Sequence, residues 1–266
     1  MTLEAKRGSK PFSEGAVAGA HAAVKAFEEI ASFMSFIRLP AAKIHTVPNN
    51  IPAPVREMAL SVLCLEEDDF TPMAAVAGTT SDFAAHAMVE SGADYAIVNN
   101  GGDIAFCVPD GKTLKAGIIS DIATGKVTHR LEIFGMSAGG FATSGLGGRS
   151  LTKGIAQSVT AIAKRASLAD AAATAIANAC ICVDPAIERC FAEEIDYNSD
   201  IAGQLVTKSV GRLRKESVSI ALEAGAERAR ELIDKNMIIG AVIFVSGKIV
   251  IVKDNSLEKI FEVTKL

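Results

Sequence analysis

From Tyr95 to Arg165 the chain is cut into short β-branched runs, "YAIV", "IAFCV", "LKAGIIS", "KVTHRLEIF" and "QSVTAIAKR", separated by Gly, Asn, Asp and Pro. Runs of that length between turn residues predict strands, and connections this brief join antiparallel neighbours; a parallel pair needs a crossover of a dozen or more residues. Helical patterns lie on either side. Ser13 to Ile37 carries apolar residues at roughly helical spacing, and "VREMALSVLCLEEDD" and "AAVAGTTSDFAAHAMVESG" read as helices, the second closed by Gly92. After the strands, "LADAAATAIANACIC" and "ESVSIALEAGAERARELIDKN" predict two more helices, and "MIIGAVIFV" and "KIVIVK" around "SG" predict a two-residue hairpin. Helices, then strands, then helices and a hairpin give an α+β fold with mainly antiparallel sheets flanked by helices.

At 266 residues the chain holds one large domain, residues 1–266, or two intimately packed halves. A formal charge of −4 argues against a nucleic-acid surface, which shows as a basic excess. No signal-peptide run opens the sequence and no stretch reaches membrane-spanning length, so no membrane association is expected. Five Cys, without C-x-x-C pairs, fit reduced thiols, and a cytoplasmic location is the expectation. The Ala-rich composition hints at a homo-oligomer.

Three stretches could carry chemistry. In "NNGGD" (99–103) Asn tolerates left-handed backbone angles and Gly adopts them freely, so a hairpin turn explains Asn100, Gly101 and Gly102 in full. Asp103, at the threshold of an apolar strand, is either solvated or kept for a contact. The segment "GMSAGGFATSGLGGRSLTKG" combines many glycines with hydroxyls, one Arg and one Lys; it reads as a structural loop or as a wrap for phosphate oxygens. Its first five residues also match G-x-S-x-G, which would make Ser137 a hydrolase nucleophile; that elbow needs a following helix and a later His, and no His lies beyond His129. Third, Asp170 and Thr174 stand four apart on one helical face of small residues, where a hard cation could approach; a dipole partner and a hydroxyl bonded back to a carbonyl explain the pair without one.

Taken in order, "VNNGGDIAF", a hairpin pair, "FATSG" and "ADAAATA" resemble the core of the ApbE family of flavin transferases, over roughly residues 75 to 180. The resemblance implies an ApbE-like fold and an enzyme that cuts FAD with Mg²⁺ and attaches FMN to a protein Thr. It implies Asp170 and Thr174 as catalytic metal ligands, with Thr80 supplying a further oxygen. It places Asn100, Gly101, Gly102 and Asp103, with Thr143, Ser144 and Gly145, beside the flavin nucleotide. Where the family carries A-K-G this chain has Thr80-Ser81-Asp82, and the family's His-bearing segment before the metal helix is absent. The expected function is therefore Mg²⁺-dependent binding and turnover of FAD or a related nucleotide. The alternatives are a non-catalytic ligand-binding protein on the same fold and, third, a serine hydrolase acting through Ser137.

Overall fold

The structure is a computed structural model that describes residues 1–254 and 259–266. Its strands are β1 (Thr2–Arg7), β2 (Lys10–Pro11), β3 (Tyr95–Asn100), β4 (Asp103–Cys107), β5 (Leu114–Ile119), β6 (Val127–Ile133), β7 (Ala138–Ser144), β8 (Ser158–Ala163), β9 (Ile187–Phe191), β10 (Leu205–Val210), β11 (Gly240–Val245), β12 (Lys248–Lys253) and β13 (Phe261–Lys265). Its helices are α1 (Ser13–Ala31), α2 (Met34–Ile37), α3 (Ala53–Leu63), α4 (Val76–Glu90), α5 (Ala166–Ala179), α6 (Ala192–Ile195) and α7 (Lys215–Asp234).

Eight strands form the main sheet in the order β12-β11-β8-β7-β4-β3-β1-β2, with every neighbour antiparallel. A sheet that joins β1 near one end of the chain to β12 near the other makes the core depend on long-range pairing. The alternation of side chains sorts each strand between two layers. In β8, Val159, Ala161 and Ala163 pack with the helices, while Ile162 points to the opposite face. In β11, Ala241, Ile243 and Val245 face the helices, and Val242 and Phe244 face away. The helical layer is α4, α5 and α7 with α1 and α3 outside it; the far face is covered in part by the small sheet β13-β6-β5, through Leu114, Leu131, Ile133 and Phe261. Ile162 is fully buried in that second layer. Ile162→Ala should lower unfolding free energy by about 2–5 kcal/mol, read as a drop in urea midpoint at unchanged m-value.

α7 is amphipathic, burying Val218, Leu222, Ala226, Ala229 and Ile233 at spacings of three and four. α5 is buried on all sides, as a helix held between sheet and helices must be; from Ala166 to Ala177 every residue but Asp170 is buried. Among the described residues no helix is long and apolar enough to cross a membrane, and the five cysteines are free thiols.

Besides β9, β10, α6 and β13, which the sequence reading did not predict, the structure departs from it in three places. The long helix expected over 13–37 is broken near Ser32, whose hydroxyl donates to the Glu29 carbonyl at 2.7 Å, and resumes as the short α2. The "TLEAKR" segment, read only as lacking an apolar run, is β1, and its alternation turns Leu3 and Ala5 to the core beside β3. The Gly/Ser loop expected over 135–154 is in its first half strand β7, at the middle of the main sheet. Gly140 is tolerated there because Ala166 packs against it: a Cβ would lie 2.4 Å from the Ala166 Cα.

Candidate functional site

The β3–β4 turn is Gly101-Gly102, with φ of +75° and +115°, flanked by the pair Asn100 and Asp103. Asn99 Oδ1 accepts from the Gly102 amide at 3.0 Å, which fixes the turn. The Asn100 side chain donates to the Ala77 carbonyl at 3.4 Å and ties the hairpin to the start of α4. Ser81 does the same from the next turn, donating to the Asp103 carbonyl at 2.9 Å. The hairpin thus delivers the Asp103 carboxyl toward α5.

On α5, Asp170 Oδ2 accepts from the Gly78 amide at 2.9 Å, at the N-terminus of α4, where exposed amides favour an anion. Burial pushes the Asp170 carboxyl up, the charge of Asp103 pushes it further, and the amides of Gly78 and Ala77 pull it back. Burial raises Asp103 as well, to about 7, against the Thr143 amide and the Arg149 charge. One turn along α5 the Thr174 hydroxyl donates to Ser144 Oγ at 3.2 Å, both side chains being buried. Thr143, on the other face of β7, shares its hydroxyl with Thr160 at 2.8 Å.

Asp103, Thr143, Ser144, Thr160 and Asp170 border a cavity of about 830 Å³. Its polar lining also takes in Gly101, Gly102 and Arg149, and its apolar lining includes Ile97, Ile104, Ile118 and Phe141. A second cavity, about 510 Å³, lies beyond Thr174 and is walled by Met34, Phe70, Met73, Asn178 and Gln204. Arg149 and Ser150 border both.

Of the residues expected at the site, Gly101, Gly102, Asp103, Thr143, Ser144 and Asp170 therefore border one cavity and Thr174 the other. Three border neither. Thr80 borders neither, because its hydroxyl is bonded back to the Val76 carbonyl at 2.8 Å inside α4. Asn100 acts as a brace to Ala77, outside the lining. Gly145 is a backbone requirement: at φ +150° a Cβ would stand 2.9 Å from the Ala156 carbonyl. Ser137 is exposed and leads into strand β7, not a helix, so the nucleophile elbow is not formed. Asp82, seen in sequence only as a departure from A-K-G, accepts from the amides of Ala166 and Ser167 at 2.8 and 2.9 Å and caps α5. Arg149 was one of two cations noted in the Gly-rich loop; its distinction from Lys153, which pairs with Asp69, is visible only in space.

The sequence matches the family described as AbpE bacteria over residues 4–251. The chain belongs to that family. The match agrees with the resemblance carried by "VNNGGDIAF", "FATSG" and "ADAAATA". Its relatives include a UPF0280 protein of Methanothrix thermoacetophila, 35% identical over 173 residues, or 64% of this chain and 70% of that one. A UPF0280 protein of Methanococcus vannielii is 37% identical over 60% of this chain and 65% of its own length. One from Methanosarcina barkeri is 39% identical over 49% and 50%. The structure of the flavin transferase ApbE from Vibrio cholerae aligns at a TM-score of 0.36, with 12% identity over 97% of this chain and 77% of that one; a superposition that loose decides nothing about reaction.

The Asp103 carboxyl gives a pH prediction. Its folded-state affinity for a proton exceeds that of the unfolded chain, where 3.8 is ordinary, so the stability it contributes is complete below about 3.8 and is lost as pH rises through about 7. Asp103→Asn, in metal-free buffer, should melt higher than the parent above pH 7, by at most about 4 kcal/mol, and show no gain near pH 4. Equal melting curves at pH 8 would place Asp103 in water.

Proposed function

We propose that the chain is a Mg²⁺-dependent enzyme that binds FAD or a related flavin nucleotide and cleaves its pyrophosphate, passing FMN to a hydroxyl acceptor. The observation that carries this reading is the convergence, in the lining of one 830 Å³ cavity, of two carboxyls, the Ser144 and Thr160 hydroxyls and a Gly-Gly turn with Ile97, Ile104, Ile118 and Phe141. A ring system suits the apolar residues and a phosphate suits the polar ones. Membership of the AbpE bacteria family supports the same reading.

The residues present fit a hard divalent cation. The Asp170 carboxyl, disfavoured in its charged form by burial and by Asp103, would gain from a bound cation, and the Thr174 hydroxyl would offer a neutral oxygen. Among the described residues no three His, Cys, Asp or Glu side chains cluster as a metal site, so water and substrate oxygens would complete the coordination, as magnesium prefers. Bound magnesium supplies charge neutralisation on the phosphate oxygens.

The chain's own groups do the rest. Gly101 and Gly102 let a phosphate approach backbone, and Ser144 orients the Thr174 hydroxyl. In the reaction the bond from the FMN phosphorus to the bridging oxygen breaks and that oxygen leaves with AMP. The acceptor hydroxyl forms the new P–O bond and gives up its proton. Asp103, on the lining of the same cavity, is the carboxyl placed to take it.

One observation favours a second reading, ligand binding without turnover: Asp82, in the place of the family's A-K-G, is spent on capping α5. Incubating the purified chain with FAD, with MgCl₂ or with EDTA, and separating products chromatographically decides between them. AMP release that EDTA abolishes is expected; tight FAD binding with no AMP release in magnesium selects the second reading.

A further inference from the structure

The two cavities meet at Arg149. Its guanidinium lies over the β3–β4 turn, where a Cβ on Gly101 would be 3.6 Å from it, and it borders both spaces together with Ser150. The other cations around these cavities are engaged. Lys115 pairs with Glu132 at 3.5 Å, Lys153 pairs with Asp69, and Arg38 donates to the carbonyls of Asn198 and Ser199 at 2.7 and 2.9 Å. Among the described residues Arg149 forms neither an ion pair nor a hydrogen bond, although the Asp103 carboxyl is within reach of its charge. A guanidinium held over a glycine turn with its fork unoccupied is suited to grip two phosphate oxygens at once. Each cavity also has its own apolar wall, Ile104 and Phe141 in one, Phe70 and Met73 in the other.

We propose that Arg149 grips the pyrophosphate of a dinucleotide that fills both cavities, one nucleoside on each side of the Thr174–Ser144 bond. This rests on the flavin-nucleotide reading above and adds to it the second cavity and the residue at the junction. Arg149 discriminates length, because only the longer ligand places two phosphates under its fork while both halves rest on apolar walls.

Calorimetric titration of the parent, Arg149→Ala, Arg149→Lys and Met73→Trp with FAD, FMN and AMP, each with and without MgCl₂, tests this. Arg149 is exposed, so its variants should keep the parent's melting temperature. FAD should bind the parent more tightly than FMN does; Arg149→Ala should lose about tenfold or more toward FAD, with a smaller loss toward FMN, and Arg149→Lys should recover part of it. Met73→Trp, which fills the second cavity, should weaken FAD and AMP and spare FMN. FMN and AMP should occupy the parent together. Competition of FMN with AMP for one site, or full FAD affinity in Arg149→Ala, overturns the inference and leaves the flavin reading standing. Absence of binding by any flavin, with or without magnesium, overturns both.

Discussion

Asp170→Asn should reduce magnesium-dependent AMP release from FAD by roughly 10³-fold, the loss expected when several kcal/mol of charge stabilisation disappears from a phosphoryl transition state. The substitution is nearly isosteric, and the asparagine carbonyl still accepts the 2.9 Å bond from the Gly78 amide, so the junction of α4 and α5 is kept. What goes is the negative charge. Because that carboxyl is disfavoured in its charged form by burial and by Asp103, the metal-free variant should be no less stable than the parent near neutral pH. The parent should gain melting temperature on adding MgCl₂ and the variant should gain little, which separates loss of the ion from loss of fold. Turnover within a factor of about two of the parent, with a magnesium-dependent shift intact, would remove Asp170 from the site.

The second large effect is on the frame that holds this carboxyl. Gly78→Ala should destabilise the chain by about 3 kcal/mol or more, although alanine is about 1 kcal/mol the better helix former. The sign is decided by contact. A Cβ on Gly78 would stand 2.2 Å from the Ala166 carbonyl oxygen, 2.5 Å from its carbon and 2.8 Å from the Ser167 nitrogen. All three are backbone atoms at the capped start of α5, held by Asp82, and none can swing aside as a side chain would. The helices must separate, and the Gly78–Asp170 bond lengthens with them. Urea unfolding followed by circular dichroism measures the cost, and residual AMP release measures the displacement of Asp170. A variant with unchanged urea midpoint would show that α4 and α5 do not approach so closely.

Local chemistry made much of the fold legible. "NNGG" specifies a turn because two successive left-handed positions exclude most other residues, and the structure has it at Gly101-Gly102. The Ser246-Gly247 turn has φ of +46° and +73° and joins β11 to β12 for the same reason. The 3.6-residue pattern of α7 is likewise complete within its own segment. β7 was not legible, since Gly139 and Gly140 are poor strand formers and the reason for Gly140 is Ala166, in a helix more than twenty residues further on.

The candidate site divides along the same line. The sequence alone determined which polar groups were available, Asp103 after a glycine turn and Asp170 and Thr174 on one helical face, because turn geometry and helix periodicity are local properties. Only the tertiary structure decided which of them meet. Antiparallel pairing of β4 with β7 brings Asp103 to the Thr143 amide, α5 packed on β7 brings Thr174 to Ser144, and the seating of α4 on α5 gives Asp170 its amide donors while leaving Thr80 bonded within its own helix. Those distances come from close packing between segments far apart in the chain, and no run of residues read by itself contains them.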